Sequence, residues 1–471
     1  MMVCNPSALG NRRRSRRAAG RCTRCPCRAP GGKVGPIWFT FVHRVSVQRA
    51  GSAIGPFSSA SGGLMKVSRR VRGIPAARWL FLAIILPSTI LVGPARLTPA
   101  LAAQEARTLS YGEPEEVGMS RAVLEGALGL YHEAVERGDI VGAVLLVARK
   151  GKIVLHEAVG MRDKERGLPM ERNSMFRMAS NTKPVVATAI AQLVEEGKLS
   201  YDDLVREYIP EWDNYRAGFI TVGHLLAHSS GLRIPTLFLQ PLGENPTLQS
   251  ESARFGAIGA EVTPGETYSY NNPGYNTLGA LVEIASGELL EDRLMETVYG
   301  PLGMADSYNH HAAHDVGGKV DRMGAVYYQR GPDGDWTPGG TPGGPVAFPF
   351  ARASGGMISS AWDYAVFSQM FLNGGTYDGA EILTPESVEL MTSPKIHIAG
   401  EGDEASYYGY GWRLADGTYG HGGSDGTNAW LDPDREIIGL VFTQTPRGDN
   451  RGTRLERFRE LVNLSLEGGG S

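Results

Sequence analysis

A serine and a lysine three residues apart form the first candidate for chemistry. Ser180 and Lys183 stand at the predicted start of a helix over 182–196. Residues three apart lie on one face of a helix, one turn from each other. The lysine can take the serine proton if its amine is neutral, and desolvation and the positive end of a helix both favour that neutral form. An N-cap serine with a surface lysine would give the same pattern.

A tyrosine and an asparagine form a second candidate group, in the sequence Tyr270-Asn271-Asn272. A tyrosine oxygen can share the transferred proton with Lys183, and the Asn272 amide can orient both the lysine and a substrate ester or amide. The alternative is a turn with a packing tyrosine.

The third candidate is His421-Gly422-Gly423-Ser424, just before a predicted strand over 428–431. Glycine at a strand edge lets a substrate carbonyl approach the backbone closely, which makes Gly423 a candidate binding residue. The backbone amides of Ser424 and Ser180 are therefore predicted to form an oxyanion hole.

The order Ser-x-x-Lys, Tyr-x-Asn and His-x-Gly resembles the class C β-lactamase-like serine hydrolases, which include penicillin-binding DD-peptidases and β-lactamase-like esterases. The resemblance spans most of residues 115–465. It implies an α+β fold in which an antiparallel β-sheet is flanked by helices and an inserted helical domain forms the active-site cleft. The α/β part would be residues 115–185 and 350–466, and the insert 186–349. Familial context is also present in segments 224–232, 301–304, 354–357 and 408–412.

The same resemblance implies a role for each matching residue. Ser180 would be the nucleophile, Lys183 its base, Tyr270 the tyrosine and Asn272 the substrate-orienting asparagine. His421 stands where true class C β-lactamases have a lysine that offers a positive charge to the β-lactam carboxylate. Histidine is mostly uncharged near neutral pH, so an esterase- or peptidase-like hydrolase is predicted.

Two other functions stay open: a true class C-type β-lactamase, and a catalytically silent penicillin-binding or sensor module, because fold does not fix function. Retention of Ser180, Lys183 and Tyr270 together favours a working enzyme. It would act on a small-molecule or peptide-like acyl substrate, and the mechanism requires neither a metal nor an organic cofactor.

Three other patterns in the sequence could carry chemistry. Residues 422–426 fit G-x-S-x-G, but that nucleophile elbow must open a helix, and the sequence after Ser424 predicts a strand and a turn. His224 and His228 have a spacing that metals use, without the glutamate of a zinc protease between them, so packing histidines are predicted. The histidine-rich segment 309–315 lacks regular ligand spacing and is predicted to be a solvated loop.

The charge distribution excludes a nucleic-acid reader. Of the 47 Lys and Arg, 17 precede Glu105, which is the first of the 50 Asp and Glu residues. Residues 105–471 therefore carry a net charge of about −20, which repels phosphate, whereas nucleic-acid binding rests on neutralisation by Lys and Arg.

The first hundred residues are predicted to be a leader rather than part of the fold. Residues 65–102 have a basic start, an apolar run over 79–92 and small residues at 100–102. This pattern is typical of an export signal, and cleavage after Ala102 is predicted. The apolar run is too short for a membrane span, so an exported protein with no stable span after cleavage is predicted, with an uncleaved anchor as the alternative. Residues 1–64 hold all four cysteines and are predicted to be disordered or untranslated, with translation starting at Met65.

The remaining elements are predicted to hold the three motifs in place. A helix over 121–137 capped by Ser120 is followed by a hairpin of 141–148 with 153–158. A second hairpin pairs 428–431 with 437–443, and an amphipathic helix covers 455–466. One sheet built from both ends of the chain is therefore predicted, with the middle inserted. Residues 331–344 are predicted to be an irregular loop near the site.

Overall fold

The computed structural model describes residues 107–467, except 234–241, 243, 310–315, 331–333, 340–347, 447 and 449–451. The predicted leader and signal therefore lie outside the described residues, as does most of the histidine-rich segment. The helices are α1 Arg121–Glu136, α2 Thr182–Glu195, α3 Val222–Leu226, α4 Leu248–Ile258, α5 Asn272–Ser286, α6 Leu290–Leu294, α7 Ala361–Leu372, α8 Pro385–Met391 and α9 Thr453–Glu467.

The strands alternate with these helices along the chain. They are β1 Ser110–Tyr111, β2 Gly142–Arg149, β3 Lys152–Asp163, β4 Leu168–Pro169, β5 Met175–Arg177, β6 Tyr308–Asn309, β7 Tyr327–Arg330, β8 Trp336–Pro338, β9 Met357–Ser360, β10 Thr376–Tyr377, β11 Ala380–Glu381, β12 Ile396–Ala399, β13 Ser406–Tyr408, β14 Arg413–Ala415, β15 Thr418–Gly422, β16 Thr427–Asp432 and β17 Ile437–Phe442.

One large sheet joins the two ends of the described chain. Its order is β1-β3-β2-β17-β16-β15-β14-β13-β12, with β4 paired to β3 outside this path. The pairs are antiparallel except for β1 with β3. The two predicted hairpins, β2–β3 and β16–β17, are confirmed, and β17 pairs with β2. The prediction of one sheet built from both ends of the chain is therefore confirmed.

Strand β2 shows why helices cover both faces of this sheet. Its residues are nearly all buried, and successive side chains of a strand point to opposite faces. Val144 and Leu146 join the core cluster that includes residues of α2 and α7, whereas Leu145 and Val147 join the cluster that includes residues of α1 and α9. A strand that is apolar on both sides needs a layer on each side.

Helix α2 runs through the larger of these two cores. Lys183 through Leu193 are all buried. A smaller sheet of order β5-β9-β6 adjoins the helix, since Met178, just after β5, donates its amide to the Met357 carbonyl of β9 at 2.9 Å. Strands from three distant parts of the chain thus surround the start of α2. The division at residues 186 and 349 stays a prediction.

Two local predictions were wrong. Helix α1 begins after Ser120, but the Ser120 side chain makes no capping hydrogen bond; its backbone amide instead donates to the Ser465 carbonyl in α9, at 2.8 Å. The segment 331–344 is not irregular throughout, because it contains β8, which pairs with the preceding strand β7, and Trp336 is buried against Val141 and Tyr327. Within the described residues, no helix has both the length and the apolar character needed to cross a membrane.

Candidate active site

Ser180 lies in a strained turn that leads into α2. Residues Ala179–Asn181 form a 3₁₀ turn, and Ala179, immediately before the serine, has a φ of 46°. A non-glycine residue in this left-handed region costs conformational energy, and such strain is concentrated at functional sites. The Thr182 hydroxyl donates to the Ala179 carbonyl at 2.6 Å and fixes this turn. The Ser180 side chain is partly exposed, whereas Lys183, one turn later, is fully buried.

The Lys183 amine has three oxygen neighbours. Its Nζ atom lies 3.0 Å from Ser180 Oγ, 2.9 Å from Asn272 Oδ1 and 2.8 Å from the Ser354 carbonyl oxygen. A neutral amine has two N–H donors and one lone pair. The amide and carbonyl oxygens can only accept, so they take both donors, and the lone pair is then left for the Ser180 hydroxyl proton. The geometry suits a base that faces Ser180.

The electrostatic surroundings favour this neutral amine. Burial lowers the pKa of Lys183 well below its usual range, and the nearby Arg352 guanidinium lowers it further. Burial of an ammonium group disfavours its charged form because water no longer solvates it. A carboxylate next to the amine would raise its pKa again, but Lys183 forms no ion pair within the described residues.

Tyr270 completes the contacts of the serine oxygen. Its hydroxyl donates to Ser180 Oγ at 2.7 Å. Burial raises the Tyr270 pKa well above its usual value, and the Ser180 contact offsets only part of that rise. The phenol therefore stays protonated at neutral pH and acts as a donor, whereas Lys183 is suited to accept a proton. The structure brings together Ser180, Lys183, Tyr270 and Asn272.

Asn271, between the two motif residues, holds this segment in place. It is the N-cap of α5: its side-chain oxygen accepts from the Gly274 amide at 2.8 Å, and its Nδ2 donates to the Ser269 carbonyl at 2.8 Å. Its own amide donates to Nδ1 of the buried His228, at 3.2 Å. The sequence analysis did not single out Asn271, although an asparagine followed two residues later by proline is a helix-start signal.

The turn between β15 and β16 lies against the turn that carries Ser180. The Asn181 side chain donates to Thr427 Oγ1 at 2.9 Å, and that hydroxyl donates to the Met178 carbonyl at 2.9 Å. A Cβ atom on Gly423 would lie 2.4 Å from this carbonyl oxygen and 2.2 Å from Thr427 Oγ1. Only glycine permits this approach, which brings the Ser424 segment next to Ser180 as an oxyanion hole requires.

We expect Gly423→Ala to reduce kcat for an acyl substrate by about tenfold or more, because the added methyl group must push the Ser424 segment away from Ser180. The same overpacking should lower the free energy of unfolding by about 1–3 kcal/mol. Steady-state kinetics and denaturant unfolding measure the two effects. Gly126→Ala is the matched control, since a Cβ on Gly126 meets no atom within 4 Å. A Gly423→Ala variant with the kcat of the parent would contradict the argument.

His421 is buried and lies beside the site with both ring nitrogens occupied. Nδ1 is 2.9 Å from the Gly422 carbonyl oxygen, to which it must donate, so Nε2 accepts from the Tyr408 hydroxyl at 3.0 Å. Burial, with a smaller effect of Lys183, lowers the pKa of His421 to about 3. The ring is therefore neutral at physiological pH and offers no positive charge. Its predicted contact with substrate stays a prediction.

Two of the rival patterns, at Ser424 and at His224 with His228, find no support in the geometry. Ser424 lies in a turn between two antiparallel strands rather than before a helix, and its hydroxyl faces Asp425 Oδ1 at 3.4 Å. Helix α3 ends at Leu226, so His224 and His228 do not share a helical face; His224 instead exchanges capping hydrogen bonds with Thr221. Within the described residues, no three or more His, Cys, Asp or Glu side chains could together hold a metal ion.

Comparison with known proteins agrees with this architecture. The fold matches that of EstCE1, a hydrolase with promiscuous acyltransferase activity, with a TM-score of 0.62 at 22% identity over 74% of this chain and 99% of that one. The sheet with its flanking helices thus defines a protein of the β-lactamase fold, a fold shared by esterases and penicillin-binding proteins. Residues 129–464 match the model of the Beta-lactamase family, and the chain belongs to that family.

Similar proteins with functional names include an esterase and a penicillin-binding protein. The chain is 33% identical over 211 residues to esterase EstB of Burkholderia gladioli, a match that covers 41% of this chain and 54% of the esterase. It is 29% identical over 340 residues to penicillin-binding protein 4 of Amycolatopsis lactamdurans, over 69% of this chain and 85% of that protein. The predicted resemblance to β-lactamase-like hydrolases is confirmed.

Proposed function

We propose that the protein is an exported serine hydrolase that forms an acyl-enzyme on Ser180. The observation that carries this proposal is the contact of one partly exposed serine oxygen with a buried amine at 3.0 Å and a phenol at 2.7 Å. Serine is a weak nucleophile unless a neighbouring base takes its proton. A buried, neutral Lys183 is such a base.

In the first half-reaction, Ser180 Oγ attacks the carbonyl carbon of an ester or amide while its proton passes to Lys183 Nζ. The amides of Ser180 and Ser424 stabilise the oxyanion of the tetrahedral intermediate. When the bond to the leaving group breaks, Tyr270 donates its proton to the leaving oxygen or nitrogen. The proton on Lys183 then restores the phenol, so the acyl-enzyme forms with both groups in their starting states.

In the second half-reaction, water takes the place of the leaving group. Its proton passes to the same Lys183–Tyr270 pair as its oxygen attacks the acyl carbon, and Ser180 Oγ recovers a proton as the acid product leaves. Asn272 holds Lys183 by its Oδ1 atom, which leaves its NH₂ group to donate to the substrate. All of these steps use side chains and backbone amides of this chain.

Esters and peptide-like amides fit the charge of this site better than β-lactams do. A β-lactam carboxylate would need a positive charge at the position of His421, whose ring is neutral and bonded to Tyr408. The similarity to an esterase agrees with this choice. Export is proposed from the basic, apolar and small-residue pattern of residues 65–102.

Initial rates on a short-chain p-nitrophenyl ester, a chromogenic cephalosporin and an acyl-D-alanyl-D-alanine peptide test the proposal. We expect ester or peptide hydrolysis at least about 100-fold faster than cephalosporin hydrolysis, because the lysine charge is absent from the His421 position. A serine-reactive phosphonate followed by peptide mass spectrometry should label Ser180. Fast cephalosporin turnover would make the protein a β-lactamase.

Ser424→Ala separates the two candidate serines in the same assay. The variant removes a hydroxyl whose described hydrogen-bond partner is the Asp425 carboxylate and keeps the backbone amide that the proposed oxyanion hole uses. We expect it to retain activity within about threefold of the parent. Loss of phosphonate labelling in Ser424→Ala would move the nucleophile to Ser424 and contradict the mechanism.

A further inference from the structure

Arg352 lies next to the nucleophile turn, in the loop before β9. Its Nη2 donates to the Gly355 carbonyl at 3.2 Å, and its guanidinium carbon lies 5.1 Å from the centre of the Phe348 ring. A Cβ on Gly355 would lie 3.0 Å from Arg352 Nη2 and 3.4 Å from the Ala179 carbonyl carbon. The guanidinium and the peptide group before Ser180 therefore share the space beside one glycine.

The hydrogen-bonding capacity of Arg352 is largely unused. A guanidinium carries five N–H donors, and the bond to Gly355 uses one of them. Within the described chain, Arg352 forms no ion pair, and none of its nitrogens is both unpaired and sealed from solvent. A charged group with free, solvent-accessible donors is ready to bind an anionic ligand.

Asp425, the carboxylate whose charge acts on Arg352, already has other partners. Asp425 forms an ion pair with Arg177 at 3.1 Å and accepts the Tyr328 hydroxyl at 2.8 Å. One carboxylate thus faces the charges of two arginines and is paired with only one of them, Arg177, which leaves a local excess of positive charge. Because the chain from residue 105 onward is strongly acidic, such a positive region stands out as an attractor for an anionic substrate group.

The position of Arg352 indicates which part of the substrate it faces. Arg352, in the loop before β9, adjoins Gly355 and Ala179, whereas Tyr270 stands just before α5 and packs against the ring of His228. Tyr270 is the proposed donor to the leaving group, so the leaving group lies on the Tyr270 side. Arg352, which adjoins Ala179 and the Asp425 segment, lies on the side of the acyl chain.

We propose that Arg352 binds a carboxylate at the far end of the acyl part of the substrate, so that the preferred substrates are esters or amides of dicarboxylic acids. This inference rests on the proposed acyl-enzyme function, because the acyl side is defined by the roles of Ser180 and Tyr270. Under this proposal the positive charge comes from Arg352, because His421 supplies none. It faces a different part of the substrate from the part that a lysine at position 421 would face.

Two esters of equal size test the assignment: mono-p-nitrophenyl glutarate, whose acyl chain ends in a carboxylate, and p-nitrophenyl glutaramate, whose chain ends in a neutral amide. We expect the purified protein to show a kcat/KM for the carboxylate that is at least about tenfold higher, because a charge-assisted bond is lost with the amide. In Arg352→Gln the ratio should fall to about one, and Arg352→Lys should keep part of it. Arg457→Gln, on the exposed face of α9, is the matched control and should keep the full ratio.

Direct binding separates the failure of this inference from the failure of the proposed function. Titration calorimetry with glutarate should give a Kd about tenfold or more weaker in Arg352→Gln than in the parent and in Arg457→Gln. If the amide ester is hydrolysed through Ser180 but neither the ratio nor the Kd depends on Arg352, the carboxylate site is overturned and the hydrolase stands. If neither ester is hydrolysed but glutarate binding depends on Arg352, the anion site stands and the acyl-enzyme function is overturned.

Discussion

Ser180→Ala should lower kcat/KM on any hydrolysed ester by about 10⁴-fold or more, to the residual rate that substrate binding and the oxyanion hole sustain without a nucleophile. Covalent labelling by a phosphonate should disappear with it. The reason is that Lys183 and Tyr270 both act through the serine oxygen, at 3.0 Å and 2.7 Å, so its removal disables all three groups together. Burst-phase and steady-state measurements of p-nitrophenol release give both quantities.

The variant should remain folded, which makes its inactivity interpretable. Lys183 keeps the Asn272 and Ser354 oxygens as acceptors after the serine oxygen is lost, and Ser180 is partly exposed, so no large cavity forms. We expect the free energy of unfolding to change by no more than about 1–2 kcal/mol. A folded Ser180→Ala protein with appreciable ester turnover would rule out the acyl-enzyme on this residue.

The sequence predicted the sheet and the central residues of the site because both depend on strong local patterns. The hairpins β2–β3 and β16–β17 follow from β-branched apolar runs separated by short polar turns. The three motifs predicted which residues meet, although the Ser180–Tyr270 and Lys183–Asn272 contacts join segments far apart in the chain. There the prediction came from the order of the motifs, since spacing alone does not indicate which loops come together.

Contacts made by backbone atoms, and contacts made by residues that belong to no motif, could not be predicted from the sequence. The Ser354 carbonyl that accepts from Lys183 has no side-chain signal, and Arg352 belongs to no spacing pattern. The Ser120 side chain makes no capping bond, and the bond from its backbone amide to Ser465 in α9 is a tertiary contact that a local cap signal does not encode. His228, with a φ of 57° and a ring 4.2 Å from that of Tyr270, is placed by a strained backbone that propensity does not encode.

Lys183→Arg should lower kcat/KM by about 10³-fold, although it keeps a positive side chain one turn from Ser180. The general base must be neutral to accept a proton, and arginine stays protonated throughout the accessible pH range. Lys183→Met should be equally inactive for the opposite reason, because it has no lone pair to offer. Equal loss in the two variants assigns the effect to proton transfer, whereas substantial activity in Lys183→Arg would show that charge rather than basicity is needed.

The pH dependence of the parent protein adds a second test of the same group. Since the folded pKa of Lys183 lies well below its usual range, kcat/KM should rise with pH as the amine loses its proton. This rise should be absent in Lys183→Met.

The free energy of unfolding should also depend on pH through Lys183. Between the lowered folded pKa and the unfolded value of about 10.4, the unfolded chain binds a proton that the folded chain does not. The parent should therefore gain stability relative to Lys183→Met as pH rises through that window, with a slope of up to about 1.4 kcal/mol per pH unit. Denaturant unfolding of both proteins across pH measures the difference, and a flat difference would mean that Lys183 is charged in the folded site.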